Sequence, residues 1–597
     1  MNKGELMKRI LIILMCCIMA ISAIGCGSDT DAGGSDLDEK VTDGTFHDTG
    51  YWDIPPAYNG NKFAVGGVGE AKHWIYGVLG VWEPLTQSYK SYIAEEIKIS
   101  NEKIEVKIKD GIVWDDGTPF TTKDVEADFV LEGGVVGNPN IWKGLDSINI
   151  IDDQNMEFIL NDQSSSLTVY YILQAKLDVA AHIYQEWYDA SNDILSKRKE
   201  DWTASFSEDE AYLELSESIK EFKPEMPIGY GPYKLTRVTA DEMILKRVEN
   251  YPGIENVQFE TVNIKRRTGN EAQTALLQGG QIDFTETALS PDLVDAIKGQ
   301  NPGMNVKTAP YFATITVVFN QGTGLGETLV PTADLNVRKA IAYVLNRDKI
   351  RELAFFFGDT MNNMNGMIPA MGEKWIDISA LEAYENNLAQ AEELLKASGY
   401  EKVDGFWNKN NEVLEINISS RSGYTDFNIA SEEISRQLSD FGIKSAPIVI
   451  PGETFSSTVT AGDFDLVLEF GAYFSRVSPW QVYDRFYSES GYVRKIASGA
   501  SEGINEKGQT VIFADVLDEF ANKSTSEDRK KEIINDLAYI TNQTLPSIDI
   551  SEKTGLYFMN DKGVSSWPAG DDLMKGLTSD LGSYRVLWML DGQLKAK

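Results

Sequence analysis

The amino-acid sequence predicts a mixed α/β fold, because strand, turn and helix patterns alternate along it. In the clearest passage, IEVKI alternates apolar and polar residues as a half-buried strand does. The turn sequence DDGTPF follows, with glycine and proline at positions that turns favour. After the turn, Thr121 or Thr122 can cap a helix. Its apolar face carries Val125, Phe129 and Val130, which is the pattern of a helix packed on a core.

The amino-terminal residues 1–25 are predicted to be a secretion signal. Lys3, Lys8 and Arg9 form a short basic region, and an apolar run of 16 residues, 10–25, follows it. This run is shorter than the roughly 20 residues that a membrane-spanning helix needs. A basic start, an apolar centre and small residues at the end are typical of a signal peptide.

Cys26 lies where the apolar run meets an acidic, glycine-rich segment. Residues 23–26 resemble a bacterial lipobox, in which the signal is cut before the cysteine and the thiol carries a diacylglycerol. Residues 26–45 contain too few apolar groups to fold and are predicted to be a flexible tether. This interpretation predicts a lipid-anchored protein on the outer face of the cytoplasmic membrane, which is the periplasmic side in a cell with an outer membrane. An ordinary signal peptide with a chance cysteine is the alternative.

Cysteine and histidine usage predicts neither a disulfide nor a metal site. Two of the three cysteines lie in the predicted signal, and the third would carry the lipid. The three histidines are far apart in sequence, and no two have helical spacing. We therefore expect no metal and no cofactor.

The charge of the chain disfavours nucleic acid as a partner. The formal net charge is −36. Removal of residues 1–25 takes away three basic residues and one acidic residue, which changes −36 to −38. Such a surface repels polyanions, so we expect no nucleic-acid partner.

Catalytic signatures are missing from the sequence. It contains no Gly-x-x-x-x-Gly-Lys loop, no Gly-x-Ser-x-Gly elbow and no His-Glu-x-x-His motif. Paired carboxylates are expected by chance in so acidic a chain. A secreted hydrolase with two carboxylates across a cleft stays a minor alternative, and we expect the chain not to be an enzyme.

Nine further segments stand in a characteristic order with the passage around DDGTPFTTKDV. They are VWEPL, PIGYGPYKL, LKRVENYPG, ALLQGGQIDF, VVFN, NVRKAIAYVLNRDKI, AEELLKASGY, ISRQLSDFGIK and GDFDLVLEFG. Together these segments resemble family 5 of the extracellular solute-binding proteins of ABC importers, the oligopeptide-, dipeptide- and nickel-binding group. The resemblance covers about residues 63–546.

The resemblance implies a two-lobed periplasmic-binding-protein-like fold, of the class with an extra subdomain, with mixed sheets flanked by helices and a central ligand cleft. One lobe is expected at 46–312 plus 548–597, with the subdomain at about 90–225. The other lobe is expected at 313–547. TVVFN and LPSIDI would then connect the lobes.

The resemblance also implies the partners. The chain would capture a solute, most simply an oligopeptide, and deliver it to an ABC permease driven by its ATPase. An oligosaccharide is the alternative ligand, because some family members bind sugars. We expect a monomer.

The segment 470–480, which begins at the last residue of FDLVLEF, is the main candidate for ligand contacts. Its aromatic residues are Phe470, Tyr473, Phe474 and Trp480. Aromatic faces suit both apolar peptide side chains and sugar rings. Peptide-binding members hold the ligand's amino terminus with the aspartate of an Asp-Pro step, and Ser478 stands at that position here. Serine carries no charge to pair with an ammonium group, so recognition of a free amino terminus requires Glu469 or Asp484 to substitute. The missing aspartate and the aromatic loop favour the oligosaccharide alternative.

Four more residues are candidate ligand contacts through the same resemblance. Glu70 and Trp74 lie near the family's first cleft loop, and Asn320 ends the strand VVFN. Arg421, in SSRSGYTDF, is a cationic candidate, for which a surface salt bridge is the alternative.

Overall fold

The structure is a computed structural model that describes residues 44–597. Within that range, residues 138, 203, 323–329, 373, 473–475, 490 and 498–499 are not described. Cys26, the predicted signal and nearly all of the predicted tether lie outside the described residues. Lipidation and secretion therefore stay predictions from the sequence.

A four-stranded sheet lies near the start of the described chain. Its strands in spatial order are Thr45–Gly50, Thr261–Arg266, Glu242–Arg247 and Tyr233–Val238. The first pair is parallel and the other two pairs are antiparallel. Phe46 and Val262 are neighbours in the parallel pair and are both fully buried. Buried apolar partners on adjacent strands fix this register.

A second four-stranded sheet, entirely antiparallel, contains the strand that the sequence predicts. Its strands in spatial order are Ala94–Ile99, Lys103–Ile108, Asn155–Leu160 and Leu145–Ile150. Within it, Ile104, Val106 and Ile108 are buried, and the residues between them are half-buried. The alternation of IEVKI thus matches a sheet with one covered face, and this strand prediction is confirmed.

The predicted helix spans Thr122–Leu131 and begins at a capping box. Thr121 is the N-cap, and its hydroxyl accepts a hydrogen bond from the Lys123 amide at 3.3 Å. The Asp124 carboxylate accepts one from the Thr121 amide at 2.7 Å. These bonds satisfy amide groups that the first helical turn leaves unpaired. The three apolar residues predicted to face the core are all buried.

A six-stranded mixed sheet runs through the middle of the molecule. Its strands in spatial order are Phe284–Glu286, Ser547–Asn560, Met304–Phe319, Leu466–Phe470, Ile418–Arg421 and Pro447–Ile450. The two longest strands, Ser547–Asn560 and Met304–Phe319, pair antiparallel, and their register is interrupted between Pro310 and Thr314. Phe312, inside that interruption, has a left-handed backbone with φ 57°, which non-glycine residues rarely adopt.

Buried apolar side chains form clusters on both sides of this interruption. One large cluster draws on residues between 46 and 309 and between 557 and 594. Two others draw on residues between 312 and 550. The long strands therefore connect separate cores. The described residues form one compact unit, so the predicted lobe boundaries stay a prediction.

Helices cover the sheets and complete the mixed α/β class that the sequence predicts. Besides Thr122–Leu131, the α-helices are Lys72–Ile75, Pro139–Trp142, Ser166–Gln174, Ala181–Glu200, Glu210–Glu221, Asn270–Gln278, Pro291–Gln300, Leu335–Val344, Arg347–Ala354, Pro369–Gly372, Leu388–Ala397, Thr425–Phe441, Phe455–Thr460, Trp480–Tyr487, Tyr492–Ala497, Phe513–Ala521, Glu527–Thr544, Gly570–Thr578 and Leu581–Leu590. The remaining strands are Gly80–Glu83, Ser88–Ser91, Glu401–Val403, Phe406–Lys409, Glu412–Val413, Glu502–Ile504, Thr510–Ile512, Val564–Ser566 and Lys595–Ala596.

Across the described residues, no helix has both the length and the apolar character required to cross a bilayer.

Candidate functional site

A cavity of about 680 Å³, here called the polar cavity, lies where distant parts of the chain meet. Its lining residues are Tyr51, 267–270, Gln273, 286–288, Tyr311, 421–424, Asp426, Gly452, Glu453, Phe470 and Lys553. Tyr311 and Lys553 come from the two long strands, and the rest come from loops and from the helices and strands next to those loops. Pockets of this volume, bordered by separate cores, are typical ligand sites.

Charges of both signs face the polar cavity around Glu286. The Lys553 ammonium lies 3.7 Å from one carboxylate oxygen of Glu286, and an Arg267 nitrogen lies 3.9 Å from the other. The three side chains are between 13% and 19% exposed. The Lys553 nitrogen also lies 4.8 Å from the ring centre of Tyr311 and 5.6 Å from that of Phe470. Half-buried charges held at these distances interact more strongly than surface charges.

The two sides of the polar cavity touch at two loops. The Asn270 side-chain amide donates a hydrogen bond to the Thr425 hydroxyl at 2.9 Å. A Cβ added to Gly269 would lie 3.6 Å from the Cα of Gly423. Gly423 has φ +85°, a left-handed conformation that glycine adopts without strain. The absence of side chains here lets the two backbones approach closely.

Asp426 follows this contact and lies in the first turn of the helix Thr425–Phe441. Its Oδ1 atom is buried and has no hydrogen-bond partner among the residues that the structure describes. Burial raises the pKa of the Asp426 carboxyl, and the Lys553 ammonium partly opposes that effect. A buried, unpartnered carboxylate oxygen is costly unless a ligand or solvent group pairs with it.

A smaller cavity of about 240 Å³ continues from the polar cavity and shares Tyr51, Arg267, Glu286 and Tyr311 with it. Arg585 lines this smaller cavity, and its guanidinium contacts two carboxylates. One guanidinium nitrogen lies 2.8 Å from Asp48, and the other donates to Glu70 at 2.9 Å.

Two further observations describe the surroundings of Arg585. Its guanidinium lies 5.6 Å from the ring centre of Trp74. Burial raises the pKa of the Asp48 carboxyl to about 7, while Arg585 acts in the opposite direction. Arg476 also lines the smaller cavity, and its Nη1 donates to the Ser579 carbonyl at 2.6 Å.

Three of the predicted ligand contacts line these cavities. Arg421 and Phe470 line the polar cavity, and Glu70 lines the smaller one. Trp74 is fully buried beneath Arg585, so its indole supports a cavity residue instead of facing the cavity. Tyr473 and Phe474 lie outside the described residues.

The remaining predicted contacts make bonds within the protein. The Asn320 amide donates to the carbonyls of residues 462 and 464, at 2.9 and 2.8 Å. The Ser478 hydroxyl accepts from the Trp480 amide at 3.3 Å, and the Trp480 indole donates to the carbonyl of residue 517 at 2.9 Å. Glu469 accepts from the Tyr492 hydroxyl at 2.7 Å. Ligand roles for these residues stay predictions.

Asp484, the other predicted substitute for the missing aspartate, does not line the polar cavity. Burial raises the pKa of its carboxyl to about 6. Asp426, which the sequence analysis did not select, lines that cavity. Asp426 lies five residues after Arg421 in the same segment, SSRSGYTDF. The resemblance that indicated Arg421 therefore covered Asp426 as well.

Sequence reasoning also missed Lys553 and Glu286. Lys553 lies three residues after the predicted crossing LPSIDI, in the strand that begins within it, so its position close to that crossing was an available signal. Glu286 carries no distinctive local pattern. Among the described residues, no group of three or more histidine, cysteine, aspartate or glutamate side chains is arranged to hold a metal ion.

Comparison with known proteins identifies the class. The model of the bacterial extracellular solute-binding proteins, family 5, matches residues 88–493, more than half of the chain. A Brucella ovis protein, provisionally named an ABC transporter peptide-binding protein, is 23% identical over 403 residues. That match covers 65% of this chain and 66% of the relative. The match therefore spans slightly less than two thirds of the relative's length.

Solved structures show the same fold. The Thermotoga maritima periplasmic oligopeptide-binding protein, with mannohexaose bound, has a TM-score of 0.69 at 18% identity, covering 93% of this chain and 98% of that one. The Bacillus subtilis oligopeptide-binding protein AppA, in complex with a nonapeptide, has a TM-score of 0.67 at 17% identity, covering 93% and 99%.

The chain belongs to the bacterial extracellular solute-binding proteins, family 5. This confirms the family and the fold class that the sequence predicts. It also confirms the expectation that the chain is a binding protein instead of an enzyme.

Proposed function

We propose that this chain captures a peptide in the polar cavity and presents it to an ABC permease, which an ATPase drives. The observation that carries this proposal is the polar cavity itself, lined by Arg421 and Lys553 as well as Glu286 and Asp426. A peptide carries an ammonium group, a carboxylate and backbone amides, and this lining offers partners of both signs. Membership of family 5 supports the same mechanism.

An oligosaccharide is the second candidate ligand. Tyr51, Tyr311, Tyr424 and Phe470 line the polar cavity, and aromatic faces suit the apolar sides of sugar rings. The Thermotoga maritima relative with bound mannohexaose supports this alternative. A neutral sugar, however, offers no charged group to the loosely paired charges around Glu286, whereas a peptide offers both an ammonium group and a carboxylate, so the lining favours a peptide.

The proposed mechanism is closure of two lobes, at 46–312 plus 548–597 and at 313–547, with the subdomain at about 90–225. The separate apolar clusters on either side of the interrupted strand pair support this division. A ligand shifts a conformational equilibrium only through contacts that differ between the two states. The bond from Asn270 to Thr425 joins the proposed lobes, and in this mechanism it belongs to the closed state alone.

The proposal includes a lipid anchor at Cys26 and a flexible tether at 26–45. The apolar run before Cys26 and the acidic, glycine-rich segment after it support this part. The anchor would hold a monomer at the outer face of the cytoplasmic membrane, close to its permease, while the tether lets it capture ligand.

A thermal-shift screen of the mature chain, residues 26–597, tests the ligand class. The screen uses one pool of random short peptides and one pool of oligosaccharides. A ligand that binds the folded state alone raises Tm by mass action. We expect the peptide pool to raise Tm and the oligosaccharide pool to leave it unchanged. A rise with the oligosaccharide pool alone would contradict the proposed ligand and support the alternative.

A further inference from the structure

A third cavity, here called the apolar cavity, has a volume of about 510 Å³. This volume lies within the range of roughly 300–1,000 Å³ that small-ligand pockets occupy. About half of its lining residues have hydrocarbon side chains, and these supply most of the exposed surface of the cavity. They include Leu289, Leu293, Ile315, Phe355, Ile429 and Leu556. Helices from both sides of the long strand pair contribute to this lining, as do the strands themselves.

Large apolar side chains remain exposed at this cavity. Leu293 is 38% exposed, Phe357 is 37% exposed and Ile429 is 42% exposed. All three line the same cavity. Isolated exposed apolar residues are ordinary, but a group of them around one concave site is typical of a binding surface. An apolar ligand group that covers them is favoured by the hydrophobic effect.

The apolar cavity adjoins the polar cavity. The two share four lining residues, Asn270, Ala288, Asp426 and Lys553. Asp426 carries the buried oxygen without a hydrogen-bond partner among the described residues. The Lys553 ammonium lies near the rings of Tyr311 and Phe470, which line the polar cavity. The shared wall is therefore charged, whereas the surface beyond it is mainly apolar, with Glu271 and Glu552 as its charged residues.

We propose that the apolar cavity is a side-chain subsite. It accepts one large apolar side chain, aromatic or branched aliphatic, of a peptide whose backbone and charged groups occupy the polar cavity. Asn270, Ala288, Asp426 and Lys553 border both cavities, so one ligand that contacts these residues can occupy both spaces. This inference rests on the proposed peptide-binding function, and it adds a preference for apolar side chains.

Calorimetric titration with matched peptides tests the subsite. The probes are pentaalanine and five derivatives that each carry one phenylalanine. Burying a phenylalanine side chain corresponds to about a tenfold to hundredfold gain in affinity. We expect this gain over pentaalanine at one or two positions of the peptide and little gain at the others.

Ala275→Phe supplies the blocking variant. Ala275 lines the apolar cavity from the helix Asn270–Gln278, and it is exposed, so a larger side chain can enter the cavity without displacing core residues. We expect the ratio of phenylalanine-peptide affinity to pentaalanine affinity to fall to within about twofold of unity. Ala211→Phe, on the exposed face of the helix Glu210–Glu221, is the matched control and keeps the wild-type ratio.

Ile429→Ser is a second variant that tests the same cavity without filling it. It replaces an exposed apolar wall residue with a small polar one, and we expect it to lower the ratio severalfold. Val65→Ser, at a position that is 86% exposed and outside the cavity lining, is its control. Tm values without ligand show whether each variant is folded.

The outcomes separate this inference from the proposed function. If pentaalanine binds and phenylalanine gives no gain at any position, the subsite is contradicted and peptide binding stands. A gain that persists in both Ala275→Phe and Ile429→Ser also contradicts the subsite. If none of the six peptides binds, the proposed function and the subsite are contradicted together.

Discussion

Two groups of charged side chains in this molecule differ in composition and in geometry: one surrounds Lys62 with three carboxylates, and the other surrounds Glu286 with two cations. Lys62 lies 3.0 Å from Asp128, 2.9 Å from Glu132 and 2.5 Å from Asp178, and its side chain is 14% exposed. In the polar cavity, by contrast, Glu286 lies 3.7 to 3.9 Å from its two cations.

The difference separates a structural role from a binding role. Around Lys62, three short contacts to carboxylates pair the ammonium group within the protein, so it is not available to pair with a ligand. Around Glu286, the charges are loosely paired and border an open cavity. Replacing a cation should therefore change stability at the first group and ligand affinity at the second.

The largest expected effect is on the stability of Lys62→Met. The substitution removes the cation from three clustered carboxyl groups and breaks the nearly buried pair of Lys62 with Asp178. Removing one member of a buried ion pair costs about 3–5 kcal/mol of unfolding free energy. Urea unfolding measures this loss. Lys98→Met, which breaks an exposed pair with Glu96, is the control and should cost about 1 kcal/mol or less. Equal losses in the two variants would remove the distinction between the groups.

Lys553→Met should show the opposite behaviour. Its ammonium borders the polar cavity, and we expect peptide affinity to fall about tenfold to hundredfold, or about 1.4–2.8 kcal/mol. Its unfolding free energy should change by only about 1 kcal/mol, because its pairing with Glu286 is loose. Titration calorimetry and urea unfolding give the two values. A stability loss as large as that of Lys62→Met, with unchanged affinity, would reverse the assignment.

The Lys62 group should also make stability depend on pH. Burial raises the pKa of the Asp128 carboxyl to about 8, although Lys62 opposes the effect. The folded chain therefore binds a proton that the unfolded chain releases above its usual pKa near 4. The free energy of unfolding that Asp128 contributes is then highest below about pH 4. It falls as the pH rises from there towards 8, by up to about 1.4 kcal/mol per pH unit for one group.

Asp128→Asn tests this pH dependence. The amide cannot ionise, so the part of the decline that Asp128 causes should disappear from the stability profile between pH 5 and 8. Urea midpoints measured at four pH values in that range give the slope. Glu102→Gln, at an exposed position, should keep the wild-type profile. Identical slopes for Asp128→Asn and the wild type would show that Asp128 is ionised throughout.

The smallest expected effect is at the contact across the polar cavity. Asn270→Ala removes the hydrogen bond to Thr425, and one such bond contributes about 0.5–1.5 kcal/mol. Peptide affinity should fall about twofold to tenfold, because the bond supports the closed arrangement. Asn149→Ala, in the strand Leu145–Ile150 and away from the cavity, should leave affinity unchanged. An unchanged affinity in Asn270→Ala would show that this bond also forms without ligand.

Local patterns predicted the elements whose causes are local. The strand at IEVKI and the cap at Thr121 depend on neighbours within a few residues, and the structure confirms both. The ordered series of family segments predicted the fold class. Of the candidate site residues, Glu70, Arg421 and Phe470 line the cavities.

Other parts of the site could not be predicted because distant segments create them. Glu286 and Lys553 meet only because the strand Phe284–Glu286 pairs with Ser547–Asn560. Trp74 shows a different limit. Its type and position suit a ligand contact, but packing beneath Arg585 determines which way the ring faces.

Hydrogen–deuterium exchange of the mature chain, with and without the peptide pool, tests the central claim most directly. The claim is that a peptide occupies the polar cavity between the segments 267–270 and 421–426. It predicts slower amide exchange in both segments when peptides are added, with no change in the helix Thr122–Leu131. Protection confined to other parts of the chain, or none at peptide concentrations that raise Tm, would contradict the claim.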